Sequence, residues 1–210
     1  RHTRCLSDWS SDVCSSDLLV LTSPFFLYQA IRHRKYIGSL RQRIGYLPVH
    51  LNLDGDESIW VQAVSVGEVL AVRPLLADLR QRYPRLKLYL STTTRTGQEL
   101  AARLAGEVDG VFYFPFDWGF AVRRTLDRVK PRLFLMVETE IWPNLIFELS
   151  KRGIPAFIVN GRISDKAYGK YRAGRSFVRP VLNRLSKIWV QDDLMMSRFL
   201  DLGAETDLVS

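Results

Sequence analysis

Cysteine is almost missing from this 210-residue chain, and its two copies, Cys5 and Cys14, both fall before residue 18. From Leu18 onward no disulfide can form, which fits a reducing compartment. Histidine is scarce too, with three residues in all. His33 and His50 have no partners at ligand spacing, so no metal site is read from them. There is no Gly-x-Gly-x-x-Gly and no Walker A sequence, which leaves dinucleotide and P-loop readings without their signatures. No helix-turn-helix or zinc spacing marks a nucleic-acid module. Acidic residues are outnumbered, 22 against 30 Lys and Arg, for a formal charge of +8. A basic chain suggests an anionic partner: nucleic acid, phospholipid or a phosphorylated substrate.

A full membrane span is also missing. Leu18 to Ile31 is apolar over 14 residues, interrupted by Thr22, Ser23, Pro24 and Gln29. As a helix it would be about 21 Å long, short of the roughly 30 Å hydrocarbon core. Arg32, His33, Arg34, Lys35, Arg41 and Arg43 follow it. An apolar end with a basic flank reads as the stump of a membrane anchor, as an interfacial helix lying on lipid, or as a plain soluble helix. Residues 1 to 17 are rich in Ser and Asp, have no apolar period, and resemble a translated sequencing adapter, so they are set apart from the fold. Without them the formal charge is +9, because two Arg and three Asp leave with them.

The 210-residue chain is 47% hydrophobic, enough for one globular core. Leu51 to Ser58, with Asp54-Gly55-Asp56, reads as a polar loop. From Ile59 onward, short apolar runs alternate with segments of helical period. Strands are predicted at Ile59–Val64, Leu86–Ser91, Gly110–Phe114, Leu133–Val137, Ala156–Val159 and Lys187–Val190. Helices are predicted at Gly67–Gln81, Gly97–Leu104, Gly119–Val129, Pro143–Lys151, Lys170–Arg184 and Asp193–Leu202. Repeated βα units imply an α/β domain, a Rossmann-like parallel sheet with helices on both faces.

Two strand ends carry acid. Ser65-Val66-Gly67-Glu68 follows the first strand, and Glu138-Thr139-Glu140 follows the fourth. If the strands are parallel, these carboxylates share the edge of the sheet where ligands bind. Each also has a plainer reading. Glu68 can be a first-turn glutamate meeting the helix dipole, and Thr139 or Glu140 can cap a helix that has Pro143 in its first turn. Gly67 either leaves room for a substrate or permits a tight turn. Thr92, Thr93 and Thr94 offer hydroxyls for sugar or phosphate, or are ordinary strand-end residues. Arg162, Lys166, Lys170, Arg172 and Arg175 form a basic run, either solvated or facing phosphate.

Ser65-Val66-Gly67-Glu68 followed by Glu138-Thr139-Glu140-Ile141-Trp142-Pro143-Asn144 resembles the 3-deoxy-D-manno-octulosonic acid (Kdo) transferases. Tyr83-Pro84, Thr92-Thr93-Thr94 with Thr96-Gly97, Phe114-Pro115-Phe116-Asp117 and Asn160-Gly161-Arg162-Ile163-Ser164 extend the likeness over roughly residues 25 to 209. The resemblance implies the N-terminal half of a GT-B glycosyltransferase, which moves Kdo from CMP-Kdo to a lipid A precursor in lipopolysaccharide core synthesis. It implies no metal at the transfer step and no cofactor beyond the donor substrate CMP-Kdo. The partners it implies are the lipid A precursor, CMP-Kdo held through a C-terminal domain, and an anionic membrane surface at the cytoplasmic face of the inner membrane, with no nucleic acid. By the same likeness Glu68 is the general base and Glu138 supports the transition state. Ser65, Gly67, Thr92, Thr93, Glu140 and Arg162 are assigned to acceptor binding. The expected organisation is a non-native tail at 1–17, a truncated anchor with its basic flank at 18–50, and the acceptor-side domain at 51–210. On this reading the donor-side domain is absent, and the segment alone is expected to be inactive.

Overall fold

The computed structural model describes residues 39–104 and 106–210. The tail at 1–17, the apolar stretch Leu18 to Ile31, and Arg32, Arg34 and Lys35 lie outside the described residues. Among the described residues no helix is long and apolar enough to cross a membrane.

Six strands form one parallel sheet: β1 Ser58–Gln62, β2 Lys87–Thr92, β3 Gly110–Tyr113, β4 Pro131–Val137, β5 Ala156–Gly161 and β6 Lys187–Val190. Their spatial order is β3-β2-β1-β4-β5-β6. The order therefore runs outward from β1 in one direction and from β4 in the other. Every residue of β1 is buried, as a central strand covered on both faces requires. Its register pairs Val61 with Leu90 on one side and with Leu135 on the other.

A short first helix, α1 Leu40–Arg43, precedes the sheet. The crossovers carry α2 Val66–Arg82, α3 Arg95–Ala102, α4 Gly119–Val129, α5 Pro143–Lys151, α6 Asp165–Ala173 and α7 Arg175–Leu182, and α8 Asp193–Asp201 follows β6. On one face α2 and α3 bury Val69, Val72, Leu76 and Ala101 against Ile59, Val61, Leu90 and Leu135. On the other, α4, α5, α7 and α8 bury Leu126, Leu145, Val181 and Phe199 against Trp60, Phe134, Met136 and Ile188. Trp60 lies edge-on to Phe134, with ring centroids 4.9 Å apart. Full burial of each such aliphatic or phenyl side chain contributes about 1.5–3 kcal/mol. Farther along the first face, Phe157 of β5 and Trp189 of β6 stack at 5.4 Å, and Trp189 is 43% exposed.

Three expectations are corrected. The predicted helix over 170–184 is two helices that meet at Gly174, and the first, α6, begins earlier and has no fully buried residue. The loop expected at 51–58 is partly core: Leu51 is 2% exposed, and Asn52 Nδ2 donates to the carbonyls of Asp56 at 3.0 Å and Arg128 at 2.9 Å. Arg43 is no part of an exposed basic flank. It is 4% exposed, and its guanidinium donates to Ser39 Oγ at 3.1 Å and to the Thr93 carbonyl at 2.5 Å, and lies over the Tyr113 ring. The segment that starts at Ser39 is thereby strapped to the C-terminal edge of β2 and β3, where Gln42 Oε1 also accepts the Tyr113 N–H at 2.9 Å.

Candidate active site

The strand order reverses between β1 and β4, and helices leave these strands toward opposite faces. In an open parallel sheet this arrangement leaves a crevice beyond the C-terminal ends of the strands. A cleft of about 300 Å³ opens there, lined by Val64, Glu68, Glu138, Thr139, Glu140, Arg162, Ile163, Ser164 and Ala167. A larger groove, about 400 Å³ and lined by Tyr46, Leu47, Arg124 and Arg128 among others, shares no residue with it. The carboxylate in that groove, Asp127, is paired with Arg152 at 2.7 Å. The smaller cleft is therefore the better candidate, because the uncommitted acid and base groups converge in it.

Glu68 is set by the start of α2. Ser65 is the N-cap, and its hydroxyl donates to Glu68 Oε1 at 2.8 Å while accepting the Glu68 N–H at 3.5 Å. Glu68 Oε2 accepts the Val64 N–H at 2.7 Å. This is a reciprocal cap displaced one residue outward from the usual box. Both predicted characters of Glu68 are therefore present at once, the helix-start residue and the acid at the cleft. It is 8% exposed. Burial pushes its carboxyl above the usual range, the Val64 and Ser65 hydrogen bonds pull it back, and the charge of Glu138 adds a smaller upward push. Each carboxylate oxygen keeps a second lone pair free to accept a proton.

Glu138 leaves β4 with φ 59°, and Asn160 near the end of β5 has φ 58°. The left-handed region costs a non-glycine residue on the order of 1 kcal/mol. Of the two, Glu138 lines the cleft. The Glu138 N–H donates to the Val159 carbonyl at 2.9 Å. Thr139 Oγ1 accepts the Arg162 N–H at 3.1 Å, which ties the two exit loops together. Glu140 Oε2 and Trp142 Nε1 are both buried without a completed hydrogen bond. Burial, with the charge of Glu68 next, raises the Glu140 carboxyl to about 7; the nearby Trp142 N–H opposes this without reaching full hydrogen-bond geometry.

The plainer reading of Thr139 or Glu140 as a cap of α5 does not hold. Neither Thr139 nor Glu140 caps it, and its N-cap position is Trp142, which makes no side-chain cap bond. The cap is Asp117, from the loop after β3, which accepts the N–H of Asn144 at 2.9 Å and of Leu145 at 2.8 Å. Pro143 opens the helix as expected, where its missing N–H costs nothing.

The other predicted residues divide. Glu68, Glu138, Glu140 and Arg162 line the cleft together, and Ser65 touches it through Glu68. Gly67 sits exposed in the first turn of α2 with ordinary backbone angles, and a Cβ built on it would meet nothing nearer than Ser65 Oγ at 3.9 Å. The turn does not require glycine there. Thr92 and Thr93 are not among the lining residues. Thr92 is fully buried and donates to Gln98 Oε1 at 2.6 Å, while Thr93 Oγ1 accepts from Gln62 Nε2 at 3.1 Å. Thr94 caps α3, accepting the Gly97 N–H at 3.1 Å. Sequence reasoning passed over Val64, Ser164 and Asp117 as site-building residues. Only Ser164 carried a local signal, a serine three residues ahead of the Ala167 N–H that it accepts at 3.3 Å. Among the described residues no three His, Cys, Asp or Glu side chains are grouped to hold a metal ion.

A parallel sheet in this order, with an acid-lined cleft at the reversal, defines a Rossmann-like α/β domain. A solved UDP-N-acetylglucosamine 2-epimerase shares the fold, at TM-score 0.50 and 12% identity over 73% of this chain and 45% of its own. The chain belongs to the 3-deoxy-D-manno-octulosonic-acid transferase (kdotransferase) family, whose model matches residues 38–210. It is 32% identical over 192 residues to the 3-deoxy-D-manno-octulosonic acid transferase of Haemophilus influenzae, covering 90% of this chain and 45% of that protein. It is 33% identical over 158 residues to a bifunctional glycosyltransferase/methyltransferase of Fusobacterium nucleatum, covering 73% of this chain and 24% of that one. The chain thus spans less than half the length of these curated relatives.

Proposed function

We propose that this domain is the acceptor-side half of an enzyme that transfers Kdo from CMP-Kdo to a lipid A precursor. The observation that carries the reading is the meeting of Glu68, Glu138 and Arg162 in one cleft at the strand-order reversal. As Kdo leaves CMP, its anomeric carbon gains positive character, and an acceptor hydroxyl attacks while losing its proton. Glu68 takes that proton: it is buried enough to hold it and still hydrogen-bonded enough to be ionised beforehand. Glu138 places negative charge opposite the developing positive centre. Arg162, exposed at the mouth, meets the acceptor phosphate. CMP-Kdo is held mainly by a second domain, and the basic surface favours an anionic membrane, the source of the lipid acceptor.

The test is a titration of the chain with a phosphorylated lipid A precursor, followed by backbone amide NMR. Shifts are expected at Gly67, Glu68, Glu138 and Arg162, with weaker binding in Arg162→Ala. Saturable shifts confined to the groove beside Tyr46 and Arg124 would overturn the placement of the acceptor.

A further inference from the structure

Glu140 is the carboxyl in the cleft that the transfer step does not use. Its Oε2 is closed off from solvent without a partner, and so is the neighbouring Nε1 of Trp142. A carboxylate oxygen in that position has lost its hydration and gained no hydrogen bond in exchange, whereas a neutral carboxyl there loses much less. The groups around it add to this. Glu68 of α2 and Glu138 of its own loop line the same cleft, and the charge of each opposes ionisation of Glu140. Tyr171 of α6 also senses it, and burial favours the neutral form of that phenol. The cation lining the cleft, Arg162, is exposed to water, so its charge is screened.

We propose that Glu140 is a positioning residue that holds a proton beside Glu68 at neutral pH, so that the two carboxyls titrate as a pair sharing one proton. With Glu140 neutral, Glu68 is the member left ionised and ready to accept a proton. When Glu140 ionises at higher pH, its charge raises the proton affinity of Glu68. The raised pKa of Glu140, about 7, agrees with this geometry. The inference rests on the reading of Glu68 as the base, but it can be measured without turnover.

The experiment is a carbon-13 NMR titration of the glutamate side-chain carboxyls in the whole 210-residue chain, comparing wild type, Glu140→Gln and Trp142→Phe. In wild type the Glu68 carboxyl should show a second inflection at the pH where Glu140 titrates. Glu140→Gln, neutral at every pH, should abolish that inflection and leave the main Glu68 midpoint nearly in place. Trp142→Phe, which removes the opposing N–H, should move the Glu140 midpoint and the Glu68 inflection up together, and it covers the case in which Glu140→Gln does not fold. A purely structural Glu140 would leave the Glu68 curve unchanged in both variants, and that result would overturn the pairing. Coupling in a chain that does not bind the phosphorylated lipid A precursor would leave the pairing standing and refute the proposed acceptor site instead.

Discussion

The carboxylate of Asp117 accepts the backbone N–H of Asn144 at 2.9 Å, so the helix behind the acidic cleft is capped from a loop 27 residues upstream. Asn144 answers by donating from Nδ2 to the Asp117 carbonyl at 2.6 Å. The loop carrying Glu138 and Glu140 is therefore held from both ends, by β4 before it and by this clasp after it.

Asp117 is half-buried, and its lost hydration raises its carboxyl from 3.8 to about 6 against the pull of the Asn144 and Leu145 hydrogen bonds. A carboxyl whose folded pKa lies above its unfolded value binds protons more tightly when folded. Its contribution to stability is present below pH 4 and is lost as pH rises to about 6. The loss is on the order of 2–3 kcal/mol. Urea denaturation between pH 4 and 7 should give a shallower decline for Asp117→Asn than for wild type. Parallel curves would show that Asp117 does not carry this dependence.

Glu68→Gln keeps the shape of the side chain and an oxygen for the Val64 N–H. In an intact transferase carrying this domain, turnover should fall about 10²–10⁴-fold with the thermal midpoint nearly unchanged. CMP release from CMP-Kdo with a lipid A precursor is the assay. Turnover near wild type would remove Glu68 from the role of base.

Gly67→Ala separates two explanations for the glycine. The added methyl has open space around it and the backbone is ordinary, so the fold should be unchanged or gain up to about 1 kcal/mol. Acceptor affinity should fall if the methyl stands where the sugar sits. Unchanged acceptor affinity in a stable Gly67→Ala protein would mean that the cleft does not extend over this turn.

Arg43→Ala should destabilise by about 2–4 kcal/mol, because it unties the Thr93 and Phe114 carbonyls and empties a buried site. Arg41, two residues earlier and exposed, should tolerate the same change within about 0.5 kcal/mol. Denaturant midpoints of the two variants provide the comparison.

The alternation of apolar runs and helical periods placed all six strands and the parallel sheet, because burial on both faces leaves an unbroken apolar signature in the central strands. The acid pair was legible for the same reason: a charge directly after such a run must sit at the strand's end. The threonine tract and Arg43 were not legible. Thr92 looks like a ligand-binding hydroxyl until Gln98 is seen to occupy it. Arg43 looks like a surface cation because the carbonyls that hold it come from residues 50 and 71 positions away. Asp117 was hidden likewise, since a cap supplied across a sheet edge leaves no spacing to find. Pairings of this kind are settled by topology, which local pattern does not record.

The strap through Arg43 has a mechanical consequence. A force applied to the backbone ahead of Ser39 reaches the sheet at Thr93 and Phe114, at the rim of its ligand-binding edge, and not at the base of the strands. The described start of this segment is thus fastened at the strand ends that carry the cleft. A tether on that segment would fix which way the opening points and would limit how far it could swing, so the attachment and the aim of the cleft are one property of the same few hydrogen bonds.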